Sequence, residues 1–246
     1  MKLISWGDLP PEMQREEVRE YYLLLQKQKI SIFLKRMFDV VASLLLLIFL
    51  SPIFLIVAIA IKMDSKGPIF YRQIRVTQYG KRFRIHKFRS MRVGADKGSQ
   101  VTVGNDDRIT RVGKVIRKFR LDEIAQLIDV LSGNMTFVGT RPEVPQYVEK
   151  YASVMMATLL LPAGITSEAS IYFKDESQLL ENADDTDSVY IHQILPAKMY
   201  YNLNALKHFS FWKDLVIMIK TVLAVLGKEY KGDYEIKIEQ PWKLEK

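Results

Sequence analysis

Asp122 and Glu123 stand side by side in a chain rich in cations. Arg108, Arg111, Arg117, Lys118 and Arg120 precede them, and Arg141 follows in "GTRP". A carboxylate held among guanidinium groups stays ionised, so it can act as a nucleophile or bind a cation. The same guanidinium groups can hold a diphosphate. A plainer reading also fits: acidic residues in a first helical turn satisfy free backbone N–H groups and the helix dipole. A second basic group lies upstream, formed by Arg72, Arg75, Lys81, Arg82, Arg84, Lys87, Arg89 and Arg92. It suits a strand face resting on anionic headgroups. Nucleic acid is allowed by charge alone, but the aromatic residues here form no single-strand-binding motif. The formal net charge of +8 and a pI near 9.4 call for an anionic partner of some kind.

Other chemistries are excluded or unsupported. The absence of cysteine rules out disulfides and thiolate metal sites. His86, His192 and His208 share no zinc-ligand spacing. No Walker loop, dinucleotide fingerprint or HExxH motif is present.

The elements that must position these residues can be read coarsely. Residues 65 to 92 predict a turn, a strand, a turn at "TQYGK" and a second strand, together a hairpin. Residues 94 to 113 are a polar loop, and "KVIRKF" starts a helix. Leu121, Ile124, Leu127, Ile128 and Leu131 recur at helical spacing up to Gly133. Residues 160 to 173 predict a loop and a short strand, and 176 to 188 an acidic loop. Residues 209 to 231 predict a helix with Trp212, Leu215, Val216, Ile219, Val222, Leu223 and Leu226 on one face. That face suits a membrane interface or a soluble core equally.

The most apolar stretch, Val40 to Ile61, carries Ser51 and Pro52 at its centre. Its roughly 22 residues would rise about 33 Å as a helix, enough to cross a bilayer core. Proline removes a backbone donor and kinks the helix, and the Ser51 hydroxyl is at hand for the freed carbonyl. Lys35 and Arg36 flank the stretch upstream, and Lys62 and Lys66 downstream. Positive charge on both flanks asks for the cytoplasmic side twice, which a helix that bends and returns on arms of about ten residues satisfies. A kinked spanning helix is the alternative. The N-terminus lacks the pattern of a signal peptide, so the apolar segment is expected to stay in the mature protein.

Several blocks then join into one pattern. "KRMFDVVASLLLLIFLSPIFLIVAIAIK", "GPIFYRQIR", "KFRSM", "RITRVGKVIRKFRLDEIAQLIDVLSGNMTFVGTRP" and "FWKDLVIMIKT" together resemble the bacterial sugar transferase family, the monotopic phosphoglycosyl transferases. The resemblance covers about residues 32 to 227 and implies a re-entrant membrane helix broken at Ser51-Pro52. It implies transfer of a sugar phosphate from a nucleoside diphosphate sugar, by family habit a UDP-sugar, to polyprenol phosphate, releasing UMP. On that pattern Asp122 is the nucleophile and Glu123 assists, with Mg²⁺ at the pair. Lys87, Arg89, Arg117, Arg141, Lys174 and Asp214 fall at positions assigned to substrate or phosphate binding. The chain departs from the pattern at Thr77 and Thr140, where glycine and proline are common, and at Lys174, where an arginine is replaced.

The expected architecture is α+β. Residues 1–30 form a helical appendage, 31–66 the re-entrant helix, 67–231 a cytosolic catalytic domain with interfacial helices, and 232–246 a tail. The expected location is the cytoplasmic face of a bacterial inner membrane. The expected partners are the sugar nucleotide, polyprenol phosphate and lipid, with no nucleic acid and contact with a second copy left open. A membrane-attached scaffold without chemistry is the competing reading.

Overall fold

The computed structural model describes residues 3–94, 108–174, 176 and 185–232. Much of the loop expected at 94 to 113, most of the acidic loop at 176 to 188 and nearly all of the tail lie outside them. The fold is mixed α and β, helix-rich, with three two-stranded sheets among the described residues.

The first helix, α1 (Glu16–Gln26), is no loose appendage. Leu9, Met13, Val18, Tyr21, Tyr22 and Leu25 are buried against Leu159, Leu160, Leu203 and Leu206 in the largest core cluster. Val18, Tyr21, Tyr22 and Leu25 have helical spacing along α1, which turns an acidic outer face to solvent and an apolar face inward.

The chain then enters α2 (Lys29–Phe49) and α3 (Ser51–Asp64), bent by 61° at Leu50. No single described helix is long and apolar enough to cross a membrane, but this bent pair passes by length and composition. Pro52 leaves the Ile48 carbonyl without its helical partner, and the Ser51 hydroxyl donates to it at 2.8 Å. The arms, 21 and 14 residues, are longer than the ten expected. The difference lies mainly at the start, where α2 begins well before the apolar run and packs its polar face on the globular body. Lys35 and Arg36 are tethers there, not free flanking charges. Lys35 Nζ donates to the Val138 carbonyl at 2.7 Å, and the Arg36 guanidinium donates to the Val130 and Leu131 carbonyls at 2.7 and 3.0 Å. Asp39 accepts from the Thr136 hydroxyl at 2.7 Å and from the Phe137 N–H at 3.2 Å. Past Ser43 the tip is bare: Leu45 is 60% exposed, Phe49 79% and Ile56 66%.

The expected hairpin is present in two sections. β1 (Phe70–Tyr71) pairs antiparallel with β4 (Lys87–Phe88), and β2 (Ile74–Val76) with β3 (Arg82–Arg84). Thr77, at the position where family members often have glycine, opens the connecting turn. Its hydroxyl donates to the Asn134 carbonyl at 2.6 Å and accepts from the Ala163 N–H at 3.1 Å, fastening the hairpin to the next sheet. That sheet is a parallel pair, β5 (Met135–Val138) with β6 (Ala163–Thr166). The β6 strand fits the expected short strand, whereas β5 was not expected from the sequence. A Cβ on Gly164 would run into the Gly139 backbone, so the close approach beside these strands requires glycine.

Helix α4 (Arg111–Lys118) starts three residues before "KVIRKF", because the Thr110 hydroxyl caps it by accepting from the Gly113 N–H at 2.9 Å. After it come α5 (Leu127–Ser132), α6 (Pro145–Val148), α7 (Glu168–Tyr172) and α8 (Thr186–Val189). A π-helical turn, Tyr190–Ile194, leads into the buried α9 (Leu195–Lys207), which was not read from the sequence. The last described helix is α10 (Phe211–Val225). Its Asp214 and Ile217 face inward, while Trp212, Val216, Ile219 and Leu226 are exposed, so this apolar face is not core.

Candidate functional site

Arg120 ends the turn after α4 in the left-handed region, at φ 55°. That reversal sends the chain into a 3-10 segment, Leu121–Gln126, with Asp122 and Glu123 in its first turn. Leu121, Ile124 and Ala125 anchor the segment against Val57, Ile61, Phe88 and Ile116. The expected continuous helix from 121 to 133 is therefore a tight 3-10 start that relaxes into α5. Gly133 ends it at φ 85°, as a C-terminal glycine should.

Two cations reach this pair from separate elements. Lys87, on β4, places Nζ 3.2 Å from Glu123 Oε1. Arg141, just past β5, forks onto Glu123: Nη1 donates to Oε2 at 3.3 Å, and Nη2 donates to Oε1. Burial alone would push the Glu123 carboxyl up, but Arg141 and Lys87 outweigh it and hold Glu123 well below the usual carboxylate range. Glu123 in turn raises the Arg141 pKa. Burial pushes the Lys87 ammonium down, with Glu123 opposing.

Asp122 behaves differently. Burial pushes its carboxyl up, Lys87 draws it part of the way back, and the Glu123 charge adds to the rise. Its Oδ1 is buried with no hydrogen-bond partner among the described residues. The expectation that guanidinium groups keep a carboxylate firmly ionised thus describes Glu123. At Asp122 desolvation is the largest effect. The capping role is also weak, since the segment's first turn shows no side-chain cap.

Arg117, in the last turn of α4, lowers the Asp122 pKa through its charge. Lys174 lies next to the site through its backbone: the Arg120 guanidinium donates to the Lys174 carbonyl at 3.0 Å. Two other candidates are not brought to the pair. The Arg89 guanidinium is buried and engaged by the Lys66, Ser65 and Ile61 carbonyls, at 2.6, 2.7 and 3.4 Å, where it caps α3. Asp214 is buried in an ion pair with Lys35 at 2.6 Å. Both are engaged by the protein's own groups, and neither presents a free charge to a phosphate.

Sequence reasoning missed the groups that hold the site in place. Asp129, 1% exposed, accepts from the His86 N–H at 2.7 Å and contacts its Nδ1 at 2.8 Å. This fixes the strand of Lys87 to the helix that follows the acidic pair. Beyond Arg141, Glu143 is buried and accepts from the Tyr190 hydroxyl at 2.5 Å. Arg75 donates to the Pro142 carbonyl at 3.1 Å, and Lys198 joins Tyr190 to Glu176 at 3.1 and 2.9 Å. Burial lowers the Arg75 pKa and raises that of Tyr190 well above its usual value. The adjacency of Glu143 to "TRP" was the one signal available.

Among the described residues no three His, Asp or Glu side chains gather as a metal site. Magnesium does not need three, because it keeps waters and takes one or two carboxylates plus phosphate oxygens. The unpaired Asp122 Oδ1 fits such an ion, whereas both Glu123 oxygens are already engaged.

Residues 30–228 match the family described as Bacterial sugar transferase. The chain is 36% identical over 198 residues to the UDP-N-acetylgalactosamine-undecaprenyl-phosphate N-acetylgalactosaminephosphotransferase of Aeromonas hydrophila, covering 79% of this chain and 44% of that protein. It is 38% identical over 199 residues to the UDP-glucose:undecaprenyl-phosphate glucose-1-phosphate transferase of Klebsiella pneumoniae, covering 78% and 40%. A protein of the same description from Caulobacter vibrioides is 33% identical over 197 residues, covering 78% and 69%. The chain thus spans less than half the length of the first two. The family match takes in the bent helix pair, the hairpin, the acidic pair and α10, and the chain belongs to the bacterial sugar transferase family.

Proposed function

We propose that the protein transfers a sugar phosphate from a UDP-sugar to polyprenol phosphate at the cytoplasmic face of a membrane. The observation that carries this is the division of labour in the acidic pair. Glu123 gathers Lys87 and Arg141, while Asp122 keeps a buried oxygen with no partner among the described residues. A nucleophile needs such an oxygen, and an anionic substrate needs cations fixed beside it.

In the first step an Asp122 oxygen bonds to the sugar-linked phosphorus as the bond to the bridging oxygen breaks and UMP leaves. In the second, a phosphate oxygen of the polyprenol phosphate attacks the same phosphorus. The carboxylate is released and a polyprenyl diphosphate sugar forms. Arg141, Lys87 and Arg117 hold phosphate oxygens and offset their charge. A magnesium ion at Asp122 would neutralise charge on the diphosphate.

The helix pair suits the lipid substrate. Both of its roots are fastened to one globular body: Lys35, Arg36 and Asp39 on one arm, and the end of α3 under Arg89 on the other. A spanning helix would leave its ends on opposite sides. The α3 arm, about 21 Å long, is also short of the hydrocarbon thickness of about 30 Å. A re-entrant helix, with the exposed face of α10 lying in the interface, places the site where both substrates can reach it.

The names of the relatives specify different sugars, so the donor is found by assay. Detergent-purified protein is given Mg²⁺, undecaprenyl phosphate and a panel of UDP-sugars, alongside Asp122→Asn. UMP release with one sugar, lost in the variant, is the expected result. Silence across the panel from folded protein, or release that survives Asp122→Asn, refutes the reading.

A further inference from the structure

We propose that Glu176 is a specificity-determining residue whose carboxylate accepts a hydrogen bond from a hydroxyl of the donor's sugar ring; this rests on the reaction proposed above. Two short chains of contact bring Glu176 to the rim of the site. On one side the guanidinium of Arg120, two residues before Asp122, holds the Lys174 carbonyl at 3.0 Å, and Glu176 follows two residues later. On the other side Lys198 Nζ donates to Glu176 Oε2 at 2.9 Å and lies 3.9 Å from Oε1 of Glu143, two residues beyond Arg141. The charge of Glu176 also reaches Arg141, whose pKa it helps to raise. The sugar is joined to the phosphate that Arg141 holds, so its ring lies beside that rim.

A sugar phosphate brings two kinds of polar group. Its phosphate oxygens accept, and its hydroxyls can donate. Lys87, Arg117, Arg120 and Arg141 are donors with no acceptor capacity in their side chains, so they suit the phosphates and leave the hydroxyls unserved. The other carboxylates are committed. Glu123 gives its oxygens to Arg141 and Lys87, Asp122 is the attacking group of the proposed reaction, and Glu143, 6% exposed, takes the Tyr190 hydroxyl. Glu176 differs from all three. Its side chain is 25% exposed, and among the described residues only its Oε2 is engaged, which leaves Oε1 as an open acceptor.

Charge explains the lysine behind it. A lone carboxylate beside a diphosphate would repel it. The Lys198 ammonium, 8% exposed, offsets the charge of Glu176 from the buried side and leaves the outer oxygen able to accept. Lys198 is itself held in place, donating to the Tyr190 hydroxyl at 3.1 Å with its ammonium 5.1 Å from the centre of that ring. Tyr190 opens the π-helical turn, a distortion that proteins keep mostly at functional sites. The acceptor is therefore positioned before substrate arrives. A site that hydrogen-bonds a substrate hydroxyl discriminates strongly against a donor that lacks it, which is how such a group selects among sugars.

The test uses the full chain in detergent with Mg²⁺ and undecaprenyl phosphate. The donors are the UDP-sugar that the wild type turns over best and analogues of it with one sugar hydroxyl removed at a time. UMP release gives kcat/KM for each, and Tm reports folding. In the wild type one analogue is expected to lose about ten- to a hundredfold, the worth of a hydrogen bond to a charged group. Glu176→Gln keeps the shape and removes the charge. Glu176→Leu with Lys198→Met removes both members of the pair, which avoids stranding a buried ammonium. Glu176→Gln is expected to narrow the gap between the full donor and that analogue. The double variant is expected to close it, with the full donor falling to the analogue's level and the analogue itself changing by less than about threefold. A structural role would lower the donor and every analogue by one factor per folded molecule and leave the gap open, and that result overturns the inference. So does a wild type in which no analogue loses more than about threefold. Either result, beside normal wild-type turnover, strikes this inference alone. Silence of the wild type on every UDP-sugar overturns the reaction reading and this inference with it.

Discussion

Replacing Lys35 by Met should do more damage than any exposed charge change in the chain, and replacing Asp214 as well should repair it. The two side chains are 3% and 11% exposed and lie 2.6 Å apart. Removing one partner of such a pair strands the other charge, at a cost of about 3–5 kcal/mol. Replacing both by apolar groups of similar volume is often neutral or better. Here the Val138 carbonyl also loses its donor, at about 1 kcal/mol. Lys35→Met is therefore expected to lower Tm by about 8–24 °C, at about 2–4 °C per kcal/mol for a chain of this size. Lys35→Met with Asp214→Leu should return to within a few degrees of wild type. The pH dependence has a definite sign. Burial raises the Asp214 pKa, with Lys35 opposing. A group with a raised folded pKa favours folding below its unfolded value and loses that contribution as pH rises through the folded value. Without Lys35 the pKa rises further, so the penalty in Lys35→Met should shrink as pH falls from 7.5 towards 5. Thermal unfolding in detergent reads stability, and UMP release reads KM for the donor in the double variant. A double variant that folds but has a strongly raised KM would refute the structural role and return Asp214 to the substrate. A Lys35→Met Tm equal to wild type would refute the energetics.

Ser51→Ala with Pro52→Ala restores a backbone donor for the Ile48 carbonyl and removes the cause of the bend. The chain has no cysteine, so single cysteines introduced near Lys29 and near Lys228 can be labelled from either side of sealed vesicles. The unaltered bend should give labelling of both from one side, and the straightened variant should not; opposite-side labelling with Ser51 and Pro52 intact would end the re-entrant reading. Gly164→Ala should cost about 1–3 kcal/mol by forcing a methyl into the Gly139 backbone, seen as a lower Tm. An unchanged Tm would mean that this approach of the backbones is not needed.

Local rules explain which elements could be read. Ser51-Pro52 was legible because the carbonyl that proline frees lies four residues from Pro52 and three from the Ser51 hydroxyl that takes it over. The hairpin was legible from its alternation and its central turn. The amphipathic pattern of α10 was legible, but not its destination, because a helical stripe looks the same facing lipid or core. Lys35 and Arg36 were misjudged for a related reason. Beside an apolar run they look like flanking charges, and their true partners lie 179 residues away for Lys35 and 94 and 95 for Arg36. No periodicity joins residues at those separations. The β5 strand escaped because it is only four residues long, and its parallel partner comes after two intervening helices.

The acidic pair shows the same limit at the scale of one site. Composition placed Asp122 and Glu123 among cations, and the resemblance gave each a role, but adjacent carboxylates are chemically almost alike. What separates them is which one the cations reach. Lys87 arrives from 36 residues upstream and Arg141 from 18 downstream, and both land on Glu123. Their landing depends on Asp129 holding His86 beside Lys87 and on the parallel pair whose first strand, β5, ends three residues before Arg141. Asp122 is thereby left with a raised pKa and a buried, unpaired Oδ1. Had Arg141 forked onto Asp122 instead, the nucleophile's lone pairs would be occupied and the site would be an ordinary buried ion pair. The capacity for chemistry thus rests on an asymmetry that only the folded backbone creates.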